Sequence, residues 1–240
     1  MKGASMDSHS LSICCLTQKI LSKGAKTLSV LKQIASLQGR RDDEPNKQLA
    51  KSLVVNLNEE GIQEIVENLT NEDLAVQSDC IKVLYEIGYL NPSLIAEYWQ
   101  VFLNLLDSKN NRLVWGGMIA LSTITSIKAD ALYPHREKII HAVTKGSVIT
   151  RDSGVKTLAV IGSVCEEYRK DVFPFLMDLL KTCRPKDVAR YAETMLAAVD
   201  INRCDEFIHL LQKRILSLTD SQVRRIRKVI TTAEKIDQAG

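Results

Sequence analysis

The sequence predicts an all-α fold, namely a right-handed α-solenoid of about twelve helices arranged in repeated pairs. Three observations indicate this fold. Glycine and proline are scarce, with 11 and 5 among 240 residues, and aromatic residues make up only 5%, which disfavours a β-rich chain with many turns. Apolar residues recur at helical spacing, and the pattern returns after 37 or 38 residues. No segment alternates between apolar and polar residues as a strand does.

The hydrophobic share of 45% and the charged share of 25% are those of an ordinary globular protein. They disfavour a disordered, collagen-like or membrane-embedded chain, and runs such as residues 11–16 fall far short of the ~20 residues that span a bilayer. No secretory signal follows Lys2, so we expect a soluble cytoplasmic protein without a membrane partner. The first ten residues are similar to an expression leader, with Met6 as an alternative start.

Metal and catalytic chemistry have little support in the sequence. The six cysteines include one adjacent pair, Cys14 and Cys15, and no Cys-x-x-Cys spacing, which favours reduced thiols over a disulfide framework or a zinc site. The four histidines form no cluster by local spacing, and there is no glycine-rich phosphate loop. Carboxylates such as Glu166 and Glu167 are adjacent, so their side chains diverge. We expect no metal, no cofactor and no catalytic residue.

The net charge of +3 is unevenly distributed along the chain. Residues 1–41 hold seven basic and one acidic residue (+6), residues 42–202 hold 17 and 23 (−6), and residues 203–240 hold eight and five (+3). A continuous nucleic-acid track requires basic residues along the whole surface. The acidic middle therefore weakens that function, although local contacts at either end stay open.

The repeat is clearest in the second helix of each pair, where four columns of residues have offsets of 4, 4 and 3 and so share one helix face. The second column holds small residues, which permit a neighbouring helix to approach closely. The columns are Val76, Leu113, Thr150 and Val188; Cys80, Gly117, Gly154 and Ala192; Leu84, Leu121, Leu158 and Leu196; and Ile87, Ile124, Ile161 and Val199.

The first helix of each pair has two apolar columns, one turn apart, which predict its buried face. They are Ile65, Phe102, Ile139 and Leu176, followed by Leu69, Leu106, Val143 and Leu180. Short polar connections join the two helices, so each unit is a helical hairpin. N-cap oxygens are offered by Asn71, by Asn110 or Asn111, and by Thr150.

The beginning of the chain is less regular. Residues 1–45 are predicted to form an N-terminal extension with one or two helices and a polar linker, and residues 46–240 the repeat domain. Within the latter, residues 49–57 and 60–69 are predicted to form one further, degenerate helix pair. Residues 220–236 have apolar residues on one face and charges on the other, which predicts a helix that caps the C-terminal end.

A resemblance to a known family supports this fold. Residues 171–199 read DVFPFLMDLLKTCRPKDVARYAETMLAAV, with Pro174 inside the first helix, and the preceding unit has Arg151 and Gly154 in its second helix. On these residues the chain resembles the HEAT-repeat family, an armadillo-type α-solenoid, over roughly residues 60–236. The family's arginine is replaced in the other units by Gln77, Val114 and Ala189. The resemblance implies an outer and an inner helix in each unit, and a binding scaffold without catalysis.

Positions two and six residues after the first inner column face the groove or its edge. Three units are polar there, whereas the second has Trp115 and Ile119 on one helix face. An apolar pair in polar columns predicts an anchor for a partner; the alternative is that Trp115 covers two neighbouring glycines and fills a packing gap. The predicted partner-binding residues are Trp115, Ile119, Asp79, Lys82, Tyr85, Asp152, Lys156 and Arg190.

The sequence is compatible with three functions, each from a different class of protein. We favour a protein–protein interaction scaffold or adaptor that binds a peptide or partner helix in the concave groove. The alternative is nucleic-acid binding by the basic terminal helices, mainly through the polyanion-binding candidates Arg224, Arg225, Arg227 and Lys228, which could equally be a solvated face. The third is an enzyme like the DNA-repair glycosylases built on HEAT-like repeats, which the few aromatic residues and the acidic middle disfavour.

Overall fold

The computed structural model describes residues 29–238, of which 84% are helical, and no strand occurs in this range. Eleven α-helices, with short 3-10 turns between several of them, are present in this range: α1 (Glu44–Val55), α2 (Glu59–Glu67), α3 (Leu74–Leu90), α4 (Trp99–Asn104), α5 (Asn111–Leu132), α6 (Arg136–Lys145), α7 (Val148–Val164), α8 (Glu166–Thr182), α9 (Pro185–Met195), α10 (Cys204–Ile215) and α11 (Asp220–Gln238). The all-α prediction is confirmed. Any helix predicted before residue 29 lies outside the described residues.

The helices form two layers. The inner layer consists of α1, α3, α5, α7, α9 and α11, and each of these packs against the next. The outer layer consists of α2, α4, α6, α8 and α10, and each of these packs against the inner helix that follows it. The chain is therefore an α-solenoid of helical hairpins, as the repeat pattern predicts.

The predicted columns form one continuous hydrophobic core. Both outer columns are buried, and so are the inner columns, including the polar Thr150. One position differs, because Leu196 is half-buried while Met195 beside it is fully buried. Helix α9 ends at Met195 and a 3-10 turn follows at Leu196–Ala198, so the prediction is wrong by one residue there.

Small residues allow the two layers to approach closely. A Cβ atom at Gly117 would lie 2.9 Å from Cβ of Leu105 and 3.0 Å from the carbonyl oxygen of Phe102 in α4. A Cβ atom at Gly154 would overlap the Cγ2 methyl group of Val143 in α6. Any larger side chain at these two positions would push the outer helix away from the inner one.

The polar connections cap the inner helices. The side chains of Asp73, Asn110 and Ser147 accept hydrogen bonds from first-turn amides of α3, α5 and α7, at 2.7, 3.0 and 3.3 Å respectively. The prediction is confirmed for Asn110. It is wrong for Asn71, which precedes the cap by two residues, and for Thr150, whose own amide is capped.

The residue that stands at the position of the family's arginine forms hydrogen bonds with the turn between the two helices of its unit. Arg151 donates from Nε to the carbonyl oxygen of Val143 in the last turn of α6, at 3.3 Å. In the first unit Gln77 donates to the carbonyl oxygen of Asn71 at 2.7 Å and accepts from Asn110 of the next unit at 3.0 Å. Both residues thus satisfy backbone or side-chain groups of the turn.

The segment before α1 is packed on the repeats. Residues 30–38 contribute buried apolar side chains to the core. The carboxylate of Asp79 in α3 accepts hydrogen bonds from the Ser36 amide and the Asn46 side chain, both at 2.7 Å. These bonds link the segment, α1 and α3 in one polar cluster, so residues 30–38 belong to the packed structure.

The predicted pairing of residues 49–57 with residues 60–69 is wrong. The first of these segments falls in α1, which packs mainly against α3 as an inner helix. The second falls in α2 and the 3-10 turn after it, and it is the outer partner of α3. Each segment is amphipathic, but periodicity alone does not say which neighbour covers its apolar face.

Ion pairs connect the last units. Arg203 forms two bonds of 2.9 Å to the carboxylate of Glu166, which lies 37 residues earlier, and a third of 3.0 Å to Asp200. Arg169 bridges the same two carboxylates at 3.2 and 3.0 Å. The pairs thus join the start of α8 to the segment that precedes α10.

We predict that Leu158→Ala lowers the free energy of unfolding by about 2–5 kcal/mol, because Leu158 is fully buried in the third unit and its truncation leaves a cavity. The measurement is urea unfolding followed by circular dichroism. Leu216→Ala is the control, since Leu216 is 92% exposed and its change should stay within about 0.5 kcal/mol. An equally small effect at Leu158 would contradict its place in the core.

We also predict an acid-sensitive contribution from Glu166. The hydrogen bonds from Arg203 lower the pKa of Glu166 from its ordinary value of 4.5 to about 2. Because the folded chain favours the carboxylate, this stabilisation is present above pH 4.5 and is lost as the pH falls toward 2. The Tm of Glu166→Gln should therefore fall less across this window than that of the unsubstituted chain. Glu72→Gln, at an exposed carboxyl without an ion pair in residues 29–238, should follow the unsubstituted chain.

Candidate functional site: the groove of the inner layer

Aromatic side chains on α3 and α5 form one part of the groove. The ring centroids of Tyr85 and Trp115 are 6.1 Å apart, and those of Tyr85 and Tyr89 are 6.0 Å apart, in tilted and edge-on geometry. Tyr85 is only 6% exposed and Trp115 is half-buried against the core, whereas Tyr89 is 57% exposed. We call Tyr85, Tyr89 and Trp115 the aromatic cluster. Tyr85 is the buried part of this cluster and Tyr89 is its exposed part.

Lys82 lies beside the aromatic cluster. Its Nζ is 4.8 Å from the centroid of the Tyr85 ring, 2.8 Å from Glu86 and 3.3 Å from Asp43. Burial acts to lower the pKa of Lys82, but the hydrogen bonds to Glu86 and Tyr85 outweigh it, so that the pKa is raised. Lys82 is therefore a protonated side chain whose charge is already neutralised within the chain.

Several predicted partner-binding residues have roles inside the fold, among them Tyr85, which is only 6% exposed, and Lys82, which is paired with Glu86 and Asp43. Ile119, which is predicted as an exposed anchor beside Trp115, is only 8% exposed because α5 is packed between α3 and α7. Its assignment to an exposed pocket is therefore wrong. Asp79 uses both carboxylate oxygens to hold the segment before α1. Trp115 partly fulfils both interpretations, since it packs against the core and also contacts the aromatic cluster.

A pocket of about 210 Å³ lies beside the aromatic cluster, and four successive inner helices contribute to it. We call it the polar pocket; its lining residues are Tyr89, Ser122, Asp152, Ser153, Lys156, Arg190, Tyr191 and Thr194. Four helices can line one pocket of this size only if their layer curves inward, so the groove is concave. Tyr89 belongs to both the aromatic cluster and the polar pocket, which makes the two surfaces continuous.

Arg190 organises the charges of the polar pocket. Its Nη2 lies 2.8 Å from Asp152 and 2.7 Å from Asp187, and Asp187 also pairs with Arg184 at 2.8 Å. Burial raises the pKa of Asp152 although Arg190 opposes this shift. Nε of Arg190 is buried, and neither Nε nor Nη1 has a hydrogen-bond acceptor among residues 29–238. Arg190 is thus held in place by one nitrogen and has donors left over.

Lys156 is the second cation of the polar pocket. It is exposed and lies one turn after Asp152 on α7. No carboxylate pairs with it in the described part of the chain. The structure therefore brings together Asp152, Lys156 and Arg190 of the predicted set, and separates them from Asp79.

Tyr89 is absent from the predicted residues. It lies after Ile87, the last column residue of α3, and so falls outside the rows compared between units. The spacing of Tyr85 and Tyr89 was the available signal, because residues four apart share one face of a helix.

The basic residues of α11 do not act as one group. Arg225 forms two bonds to the carboxylate of Glu193 in α9, at 2.8 and 2.6 Å, and these lower the pKa of Glu193. Arg224, Arg227 and Lys228 are exposed and have no ion pair in residues 29–238. Three cations of the predicted four are therefore available to a polyanion.

Residues 29–238 contain neither a metal-binding cluster nor a membrane-spanning helix. Within the described range, no three or more histidine, cysteine, aspartate or glutamate side chains are placed to hold a metal ion. No disulfide joins the cysteines in the same range, which are Cys80, Cys165, Cys183 and Cys204. None of the helices described is long and apolar enough to cross a membrane.

Comparison with known proteins shows the fold. No family model matches the sequence, and no curated protein matches it. Among solved structures, an engineered protein has a TM-score of 0.62 at 19% identity, covering 87% of this chain and 98% of its own. A designed armadillo repeat protein in complex with a (KR)4 peptide has a TM-score of 0.56 at 15% identity, covering 87% of this chain and 100% of its own. The karyopherin Kap121p has a TM-score of 0.61 at 14% identity, covering 98% of this chain and 27% of its own.

The chain thus has a repeat fold of the HEAT/armadillo type, as the resemblance in its helices predicts. It spans about a quarter of the length of Kap121p. Within this fold, the aromatic cluster and the polar pocket form the candidate site.

Proposed function

We propose that the chain is a protein–protein interaction scaffold that binds a peptide or a partner helix in its concave groove, without catalysis of its own. The observation that carries this proposal is the exposed Tyr89, which continues the half-buried aromatic cluster into the polar pocket. Tyrosine and tryptophan are enriched at the energetic centres of interfaces. An aromatic surface beside hydrogen-bonding groups suits a partner that needs both contacts.

The fold agrees with this function. One similar solved structure is a designed armadillo repeat protein in complex with a peptide. Inner helices that curve around a groove present a long surface to an extended ligand. We propose residues 46–240 as the binding domain, residues 1–45 as an N-terminal extension whose residues 30–38 pack on it, and the cytoplasm as the compartment.

We predict that Tyr89→Ala weakens the binding of groove ligands at least tenfold and leaves the Tm nearly unchanged. A side chain that is 57% exposed contributes more to association than to folding. The ligands are peptides selected from a phage-displayed library of random peptides on the immobilised chain, and binding is measured by fluorescence anisotropy.

Leu90→Ala is the matched control for this experiment. Leu90 is adjacent to Tyr89 and 49% exposed, yet it does not line the polar pocket. Its substitution should leave the affinity unchanged. Peptides that bind equally well to Tyr89→Ala and to the unsubstituted chain would place the binding surface outside the groove.

Nucleic-acid binding by α11 is the second candidate function. It is favoured by the exposed and unpaired Arg224, Arg227 and Lys228, which lie at spacings of three and four and therefore share a face. Three phosphate contacts give a salt slope of only about −3 on duplex DNA. Such a surface supports weak binding without sequence preference.

We predict no sub-micromolar binding to labelled duplex DNA or single strands at about 200 mM salt, measured by fluorescence anisotropy. Binding observed at about 50 mM salt should disappear when Arg224, Arg227 and Lys228 are replaced by glutamine. Arg225→Gln, which breaks the bond to Glu193, should have a smaller effect. Tight binding at the higher salt concentration would rank nucleic-acid recognition first.

A further inference from the structure

The polar pocket carries one more positive than negative charge. Lys156 and Arg190 line it together with one carboxylate, that of Asp152. Asp152 and Asp187 are both paired with Arg190, and Asp187 is also paired with Arg184. Lys156 has no acidic partner among residues 29–238. The charge that is left over is therefore that of Lys156, at the exposed side of the pocket.

Several hydrogen-bond donors of this pocket have no acceptor among residues 29–238. The hydroxyl groups of Ser122 and Thr194 already donate to backbone carbonyl oxygens, at 2.8 and 2.9 Å. The donors without an acceptor include Nζ of Lys156 and both Nε and Nη1 of Arg190, while Oδ1 of Asp152, which lacks a hydrogen bond, is held by the ion pair to Nη2 of Arg190. A buried donor without an acceptor destabilises its surroundings, so a ligand that brings acceptors is favoured.

We propose that the polar pocket receives the carboxylate side chain of an aspartate or glutamate in a bound peptide, while an apolar residue of the same peptide contacts the aromatic cluster. This proposal rests on the peptide-binding function proposed above. Charge-assisted hydrogen bonds from lysine and arginine are the strong interactions that a carboxylate makes. A pocket of about 210 Å³ has room for a side chain of this size.

Tyr89 belongs to both the aromatic cluster and the polar pocket. The apolar and the acidic residue are therefore expected close together along the peptide.

A basic side chain fits this pocket poorly. It would meet Lys156 and Arg190, and the carboxylates within reach, Asp152 and Asp187, are already paired with arginine. Like charges brought together without compensation oppose binding. The chain should thus discriminate between an acidic peptide and its lysine counterpart.

The test is a charge exchange between chain and peptide. Peptides are first selected from the phage-displayed random library on the unsubstituted chain, and the expected consensus has an acidic residue close to an apolar one. One selected peptide is then synthesised with glutamate or with lysine at the acidic position. Lys156→Glu should weaken the binding of the glutamate peptide at least tenfold and strengthen the binding of the lysine peptide, as measured by fluorescence anisotropy.

Lys109→Glu provides the matched control. It makes the same change of charge at an exposed lysine in the connection between α4 and α5, outside the polar pocket, and should change either affinity less than twofold. Circular dichroism confirms that each variant is folded, as expected for substitutions at exposed positions.

Two results would overturn the carboxylate proposal, and they differ in what they say about the groove. Selected peptides that require Tyr89 but lack an acidic residue, or are indifferent to Lys156→Glu, would leave the groove function intact. Peptides whose binding does not depend on Tyr89 would overturn both the groove function and the carboxylate site.

Discussion

The close approach of inner and outer helices at the small-residue column is the constraint on which the rest of the structure depends. At Gly117 even a Cβ atom would press on the backbone of α4, and at Gly154 it would overlap a methyl group of α6. This contact fixes which side of each inner helix is covered by the outer layer. The opposite side of each inner helix then faces away from the outer layer, so the groove is a consequence of how the two layers pack.

The core could be predicted from the sequence because the same contact recurs in each unit. Positions with the same structural role align when the sequence is written at a step of 37 or 38 residues. The misses arise where a residue's role depends on a neighbour from elsewhere in the chain. Helix α1 is covered mainly by α3 and less by the adjacent α2. Met195 is fully buried in place of Leu196 because α9 ends there and a 3-10 turn follows.

The candidate site was predictable in part for the same reason. Trp115 was detectable as an apolar residue in a polar column, and Asp152, Lys156 and Arg190 do line one pocket. Ile119 was misplaced because a helical position at the edge of the groove is covered when both neighbouring inner helices are close. Tyr89 escaped because it lies beyond the repeated columns, although it joins the two halves of the site. Comparison of the units therefore detects residues within the shared columns, such as Trp115, and overlooks residues beyond them, such as Tyr89.

The arginines near the C-terminal end show why local charge is a weak guide to a binding surface. Arg203 pairs with Glu166, Arg225 pairs with Glu193, and Arg214 donates to backbone carbonyl oxygens at the end of α8. Each of these side chains spans two units, so its charge stabilises the stacking and is not available to a partner. Lys156 differs from them because no carboxylate of the described chain forms an ion pair with it, and the neighbouring Asp152 is paired with Arg190. Lys156 is thus a cation of the groove that stays available to a ligand, whereas these arginines are not.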